Sequence, residues 1–464
     1  MTEPYRRLLD RTTRIALRYL DAGSSRPVAR STAATAEEAM DELVAALGGP
    51  LPEEGAGAEE VVESLAKLVE PGLVVTNAGR YFGFVEGGVL PAALAADWLT
   101  SVWDQNTAFF VMSPAGAAVE EVCRRWLCDL LGLPPEASAG FTTGAQMANV
   151  AGLAAARHHQ LARVGGEVES DGLFGAPEIT VVVGEDRHAT IGRALRLLGL
   201  GERRVKVVPA DDQGRMRASE LARTLGDGPA IVCAQAGNVN SGAFDPLADI
   251  CDIAHERGAW VHVDGAFGLW AAAAPDLRHL TDGAGRADSW ATDGHKWLNV
   301  PYDCGIVLCA HPDSHRAALS LTASYLARAG QRDGTDWTPE SSRRTRAFAV
   351  WAALRSLGRA GLADLVERCC AHARNLASIL SSHDGVEVLN DVVLNHVLVR
   401  IGDDERTRAV AAAVQADGTA WLGTTQWQGR AALRISVSDQ ATRDEHVAAT
   451  AQAIIRAAGL RASG

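Results

Sequence analysis

Residues 259–268 read AWVHVDGAFG. A short apolar, β-branched run bounded by glycine reads as a strand buried on both faces. It ends on an acid, Asp264. In parallel α/β sheets, ligand-contacting groups gather at the carboxyl ends of strands, so Asp264 is expected to face a cleft. An aspartate in that position can equally cap the segment that follows.

Similar runs lie on either side. EITVVVG (178–184), RVKVVP (204–209), AIVCAQAG (230–237) and CGIVLCA (304–310) read as strands. Helical segments separate them, such as DPLADICDIAHERG (245–258), whose apolar face is Leu247, Ile250, Cys251 and Ala254. Val- and Ile-rich strands alternating with helices predict an α/β fold with a mostly parallel central sheet, covered by helices on both sides.

Residues 1–79 read instead as a helical arm, with Leu8, Leu9, Ile15, Ala16 and Tyr19 at helical spacing. GGPLPEEGAGAEE (48–60) interrupts the arm, and a helix restarts at EEVVESLAKLVEPG. An arm with so little apolar surface is expected to pack on another subunit or on the main domain. The large domain is placed at 80–342. The helix RRTRAFAVWAALRSLGRAG (343–361) then opens a small C-terminal α+β domain, 343–464, with strands in VEVLN, HVLVRI and ALRISVS.

Composition narrows the functional class. With a net charge of -13, the chain lacks the clustered Lys and Arg that phosphate backbones require, so no nucleic-acid partner is expected. No uncharged apolar run reaches the roughly 18 residues of a membrane span, and the charged N-terminus MTEPYRRLLDRTTRIALRYLD has no signal-peptide core. The 8 cysteines form no CxxC pair and read as reduced thiols of a cytoplasmic protein.

Two further stretches carry chemistry. GFTTGAQMANVAGLAAARHH (140–159) is a turn opening into an Ala-rich helix, where free N–H groups and the helix dipole suit an anion; an ordinary capped helix start is the plainer reading. GxGxxG and GxxxxGK[ST] are both absent, so neither a dinucleotide nor a P-loop site is indicated. SWATDGHKWLNVPYDCG (289–305) sets Lys296 between an imidazole and an indole in a segment short of charge. A strand-end carboxylate, an anion-binding turn and a lysine in aromatic company are the parts of a pyridoxal phosphate site. The lysine forms the Schiff base, the carboxylate keeps the pyridine nitrogen protonated and the turn holds the phosphate.

The order and wording of these motifs resemble the group II pyridoxal-phosphate-dependent amino-acid decarboxylases, the family of glutamate and aromatic L-amino-acid decarboxylases. The resemblance runs over about residues 80–445 and rests on WLTSVWDQNTAFFVMSPAGAAVEE, GFTTGAQMAN, DRHATIGRALRLLGL, NVNSGAFDPLADI, WVHVDGAFG and DSWATDGHKWLNVPYDCG. It implies a fold-type I enzyme that decarboxylates an L-amino acid. The implied roles are Lys296 as the cofactor lysine, Asp264 as partner of the pyridine nitrogen, Ala266 against the ring and His188 stacked on its other face. Ala145, Gln146 and His295 would meet the phosphate, with Asp293 and Asn238 also beside the cofactor. Val85, Asn106, Tyr325 and Arg434 are the implied substrate contacts, although Arg434 also fits a surface ion pair. The family further implies a homodimer with active sites at the subunit interface.

Some positions depart from the family. Aromatic-type members carry a proton-donating tyrosine on a loop before the long helix, and here Gly334 stands in its place. Tyr325, His188 or water would then return the proton to the carbanion. Oxidative decarboxylation to an aldehyde is the alternative, together with transamination or carbon–carbon lysis. A catalytically idle binding homologue is the remaining reading. Val85 and Ala108 stand where aromatic-type members place large rings, which favours a polar or aliphatic substrate. His311 and His315 have a helical ligand spacing but no third ligand, and read as a solvated helix start, so no metal site is expected. Trp297 and Trp427 read as packing residues.

Overall fold

The computed structural model describes residues 2–23, 25–29, 36–321 and 330–461. Seven strands form the central sheet: β1 (Ser138–Thr142), β2 (Thr180–Gly184), β3 (Lys206–Val208), β4 (Ala230–Gln235), β5 (Trp260–Asp264), β6 (Ser289–Asp293) and β7 (Gly305–Cys309). Their order is β1-β7-β6-β5-β4-β2-β3, and β7 alone runs against its neighbours. Every residue of β1, β4, β5, β6 and β7 is buried, as expected of a sheet covered on both faces. The parallel strands all end on one edge, which places Thr142, Asp264 and Asp293 there together.

β1 and β6 are not evident in the sequence, for different reasons. β1 is SAGFT, and its Gly140 is required by packing: a Cβ there would lie 2.0 Å from the Trp337 carbonyl oxygen. β6 is SWATD, too short and too mixed to stand out from the lysine motif that follows it. The helix Ala145–Ala162 lies across β5, β6 and β7, and its buried Ala148, Ala151, Ala154 and Ala155 allow the close approach.

A second, antiparallel sheet has the order β10-β11-β9-β8, with β8 (Val386–Val388), β9 (His396–Ile401), β10 (Gly423–Trp427) and β11 (Arg430–Ser436). β10, GTTQW, is the strand that the sequence reading lacks. The predicted helix at 343–361 is observed as Ala347–Ser381, interrupted at Gly358, whose φ of 61° and ψ of -175° fall outside the helical region. Residues 81–82 stitch the N-terminal part to the second sheet, through Phe82 N to Trp421 O at 2.8 Å and Ser436 N to Phe82 O at 2.9 Å. All 8 cysteines are free and buried, Trp297 and Trp427 are buried packing residues, and among the described residues no helix is long and apolar enough to cross a membrane.

His315 is not on a solvated face, contrary to the expectation from its spacing with His311. The helix does start there, at Pro312–Leu319, but His315 is fully buried and bonds Ser138 Oγ at 2.8 Å, with Trp337 edge-on to its ring. The Trp337 segment that covers β1 removes this imidazole from solvent. His311 pairs with Asp288 at 2.7 Å, and no metal-binding cluster is found among the described residues.

The segment before the long helix is anchored by a buried ion cluster. Glu120 is fully buried in the helix Pro114–Leu130 and meets Arg343 Nη1 at 2.6 Å and Arg332 Nε at 3.3 Å. Arg332 lies over the Trp337 ring. Removing the acid would leave two guanidinium groups buried without their counter-charge. Glu120→Ala is therefore expected to cost about 3–5 kcal/mol of stability, read as a fall in the denaturant midpoint at constant slope.

Candidate active site

Trp260, His262 and Asp264 alternate on one face of β5, and Asp264 closes the strand. Its carboxylate is 5% exposed and accepts hydrogen bonds from Ala266 N and Asn149 Nδ2, both at 3.3 Å. Burial raises this carboxyl above its usual range, against the pull of His188 and Lys296 nearby.

Lys296 is set by the tight turn that leaves β6. Gly294 N and His295 N both donate to Cys304 O, and Asn299 N donates to Lys296 O at 3.2 Å. Asn299 locks this turn to the C-terminal region through Nδ2 to Ser438 O at 2.9 Å and through Oδ1, which accepts from Gln440 N at 2.8 Å. The Gly87–Gly88 pair passes directly over it: a Cβ at Gly87 would lie 1.7 Å from Lys296 O, and one at Gly88 1.9 Å from Asp439 Oδ1. Lys296 Nζ stands 2.9 Å from Asp293 Oδ2.

Donors converge beside it. Ala145 N, at the first turn of its helix, donates to Asp293 Oδ1 at 2.6 Å, and His295 Nε2 lies 3.4 Å from the same oxygen. His295 Nδ1 accepts from Cys304 N at 3.0 Å, which leaves the hydrogen of the neutral ring on Nε2. Burial lowers the pKa of His295, and Tyr302 stacks on its ring at 4.3 Å. Gln146 Nε2 donates to Thr190 O at 3.3 Å, while its buried Oε1 has no hydrogen-bond partner among the described residues.

His188 caps the helix Ala189–Leu197. Its Nδ1 lies 2.7 Å from Thr190 Oγ1 and accepts from Thr190 N at 3.3 Å, an arrangement that in the neutral ring places the hydrogen on Nε2, and burial lowers its pKa. His188, Asp264, Ala266, Lys296 and Val85 line one cavity. Phe84 and Phe267, which the sequence reading did not single out, also line it. Phe84 stacks on Trp421 at 5.5 Å, and Phe84 and Val85 have φ of 54° and 71°, in the left-handed region.

The remaining assigned residues lie elsewhere. Asn238 does not line the cavity: its Oδ1 accepts from Asn240 N at 2.8 Å and its Nδ2 donates to Asp186 O at 3.1 Å, so its amide fastens a loop. Asn106 is occupied in the same way, its Oδ1 accepting from Ala108 N at 3.0 Å and Arg343 N at 3.1 Å. Arg434 is only partly buried and reaches Val239 O, at the cavity border, at 3.4 Å. Tyr325 lies outside the described residues. Gly334 is buried, and a Cβ there would lie 2.0 Å from Arg343 Nη2 and 2.2 Å from Thr107 O.

A sequence profile of the family described as pyridoxal-dependent decarboxylase conserved domain matches residues 42–401. The chain belongs to this family. Among curated relatives of this decarboxylase, an aromatic-L-amino-acid decarboxylase of Bacillus atrophaeus is 26% identical over 416 residues, covering 85% of this chain and 84% of the relative. Acidic amino acid decarboxylase GADL1 of Homo sapiens is 30% identical over 328 residues, covering 68% and 62% respectively. In fold, the decarboxylase is similar to Oryza sativa TDC solved with PLP and tryptamine, with a TM-score of 0.91, 24% identity and coverage of 99% and 98%.

The cofactor of the family is pyridoxal phosphate, and the donor set fits it. A primary amine, a buried strand-end carboxylate and a stacking-sized imidazole share one cavity. A helix N-terminus and the His295 N–H converge on the neighbouring turn. Gly144 and Gly305 leave the space for that turn, since a Cβ at Gly305 would fall 2.2 Å from the Gly144 carbonyl carbon.

Proposed function

We propose that this decarboxylase removes the α-carboxyl group of an L-amino acid as carbon dioxide and releases the amine. The observation that carries the reading is the meeting of Lys296, Asp264 and His188 in one cavity. When bound, the cofactor supplies an electron sink for the carbanion that carbon dioxide leaves behind. Lys296 holds the cofactor through its Nζ, and Asp293 keeps that amine in place. Asp264 would accept the N–H of the pyridine nitrogen and so keep that nitrogen protonated. Ala145, Gln146 and His295 hold the phosphate.

His188 would cover the ring and, in its imidazolium form with Nδ1–H on the Thr190 hydroxyl 2.7 Å away, return a proton from Nε2 to the substrate carbon. Arg434 takes the substrate carboxylate at the border marked by Val239, and Phe84 with Val85 faces the substrate side chain. The residues thereby fix the direction of the bond to be broken, which is the protein's main contribution to rate.

Apolar surface on the arm and on the helix Pro91–Trp103 supports a homodimer. Leu17 and Leu20, with Trp98, Leu99 and Trp103, are exposed, and Tyr19 borders the same groove as Leu94 and Trp98. The free cysteines support a cytoplasmic location.

A second reading is favoured by Gly334, where contacts with Arg343 and Thr107 leave no room for a side chain that could donate a proton. Protonation then depends on fewer groups, and diversion of the carbanion to oxygen would give an aldehyde. The test is a product screen of the loaded protein against the proteinogenic amino acids. Carbon dioxide and amine in equal amounts without oxygen uptake support the proposal. Oxygen uptake with aldehyde and ammonia supports the second reading; no carbon dioxide from these directs the screen to non-proteinogenic L-amino acids, and none from those either contradicts both.

A further inference from the structure

A chain of buried polar side chains runs from the interior of the sheet to Asp264, and its direction follows from donor chemistry. The Trp260 indole can only donate, so Ser289 Oγ accepts its N–H at 2.9 Å. The single Ser289 hydroxyl hydrogen is then free for His262 Nδ1 at 2.8 Å. That leaves the ring hydrogen on His262 Nε2, which donates to Asn149 Oδ1 at 2.8 Å. The orientation of the Asn149 amide is thereby fixed, and its Nδ2 points at Asp264 Oδ2, 3.3 Å away.

The four residues behind Asp264 are at most 1% exposed. The sequence brings them together by alternation on β5, by the parallel pairing of His262 with Ser289 on β6, and by the helix Ala145–Ala162 crossing above. Gly152 is required there, because a Cβ would stand 2.8 Å from His262 Cε1. Burial holds the His262 pKa at about 3, so the imidazole remains a neutral donor at physiological pH.

We infer that Asn149 and His262 are positioning residues that keep the proton of the cofactor–Asp264 pair on the cofactor side. A hydrogen bond donated to a carboxylate stabilises its charged form and makes it a weaker base. The donor at Asp264 Oδ2 therefore opposes the effect of burial, which would otherwise draw the proton onto the carboxyl. His262 acts one step back, since without its N–H the Asn149 amide can turn its oxygen toward Asp264. Trp260 and Ser289 set the tautomer. The inference rests on the reading of the cavity as the pyridoxal phosphate site.

The test compares the wild-type holoenzyme with Asn149→Ala, His262→Leu and His262→Gln, each loaded with pyridoxal phosphate labelled with ¹⁵N in the ring. Gln at 262 retains a donor toward Asn149, whereas Leu does not. The ring ¹⁵N shift reports the proton directly, which a purely structural defect would leave unmoved in the protein that folds. The expected result is a shift of the proton toward Asp264 by about tenfold or more in Asn149→Ala and His262→Leu, with weaker cofactor retention. His262→Gln is expected to keep a wild-type ring shift. Equal ring protonation in all four proteins would overturn the inference, and so would a His262→Gln protein indistinguishable from His262→Leu. A wild type that takes up no cofactor would contradict the site reading itself and the inference with it.

Discussion

Lys296→Ala is expected to lower turnover by on the order of 10⁴-fold or more while the protein still folds. The side chain is 20% exposed and its one close polar partner among the described residues is the Asp293 carboxylate at 2.9 Å, so truncation opens no core cavity. On the proposed reading, what disappears is the amine that anchors the cofactor, and with it the exchange by which substrate enters and product leaves. Added ethylamine should restore part of the rate, because a free amine can enter the space left by the side chain. Single-turnover rates with and without the amine, beside a denaturation curve, check this. A variant that retains more than about a tenth of wild-type turnover is incompatible with the proposed role.

His188→Phe is the second large effect. The substitution keeps a flat ring over the cavity but removes the Nε2 hydrogen and the acceptor that binds Thr190 N. If His188 returns the proton to the substrate carbon, turnover should fall by about 10²–10⁴-fold, the usual contribution of a positioned acid. Products should change as well, since a longer-lived carbanion meets oxygen more often. The expected outcome is a lower rate of amine formation together with a larger aldehyde fraction, measured as peroxide and ammonia per carbon dioxide. A fall in rate with unchanged product ratio would assign His188 to cofactor stacking alone. Normal turnover would remove it from the mechanism.

Most of the chemistry is legible in the sequence because it depends on short-range order. Asp264 ends a strand whose pattern is plain, and Lys296 follows it in a motif with little else charged. The turn at Ala145, the candidate anion site, is local too. What escapes is set by contacts between distant segments. β1 is hidden because Gly140 answers to the Trp337 carbonyl, and Gly87 and Gly88 answer to Lys296 and Asp439.

Asn106 and Asn238 illustrate the converse limit. Both are asparagines beside the site in the chain, yet backbone groups occupy their amides. His315 is buried by a segment that follows it by some twenty residues, which helical spacing alone does not reveal. Asn149 and His262 had a readable signal: a lone imidazole in an apolar strand, and an amide with Gly152 in an Ala-rich helix. Only the fold shows that the two face one another.

Pyridoxal phosphate carried on Lys296 can be located directly, because this sequence has few lysines. Its other lysines are Lys67 and Lys206, both exposed. Borohydride reduction of the loaded protein, followed by digestion and peptide mass analysis, should place one phosphopyridoxyl group on the peptide that contains Lys296 and leave Lys67 and Lys206 free. Modification confined to Lys67 or Lys206, or none on Lys296 in a protein that binds the cofactor, would contradict the account.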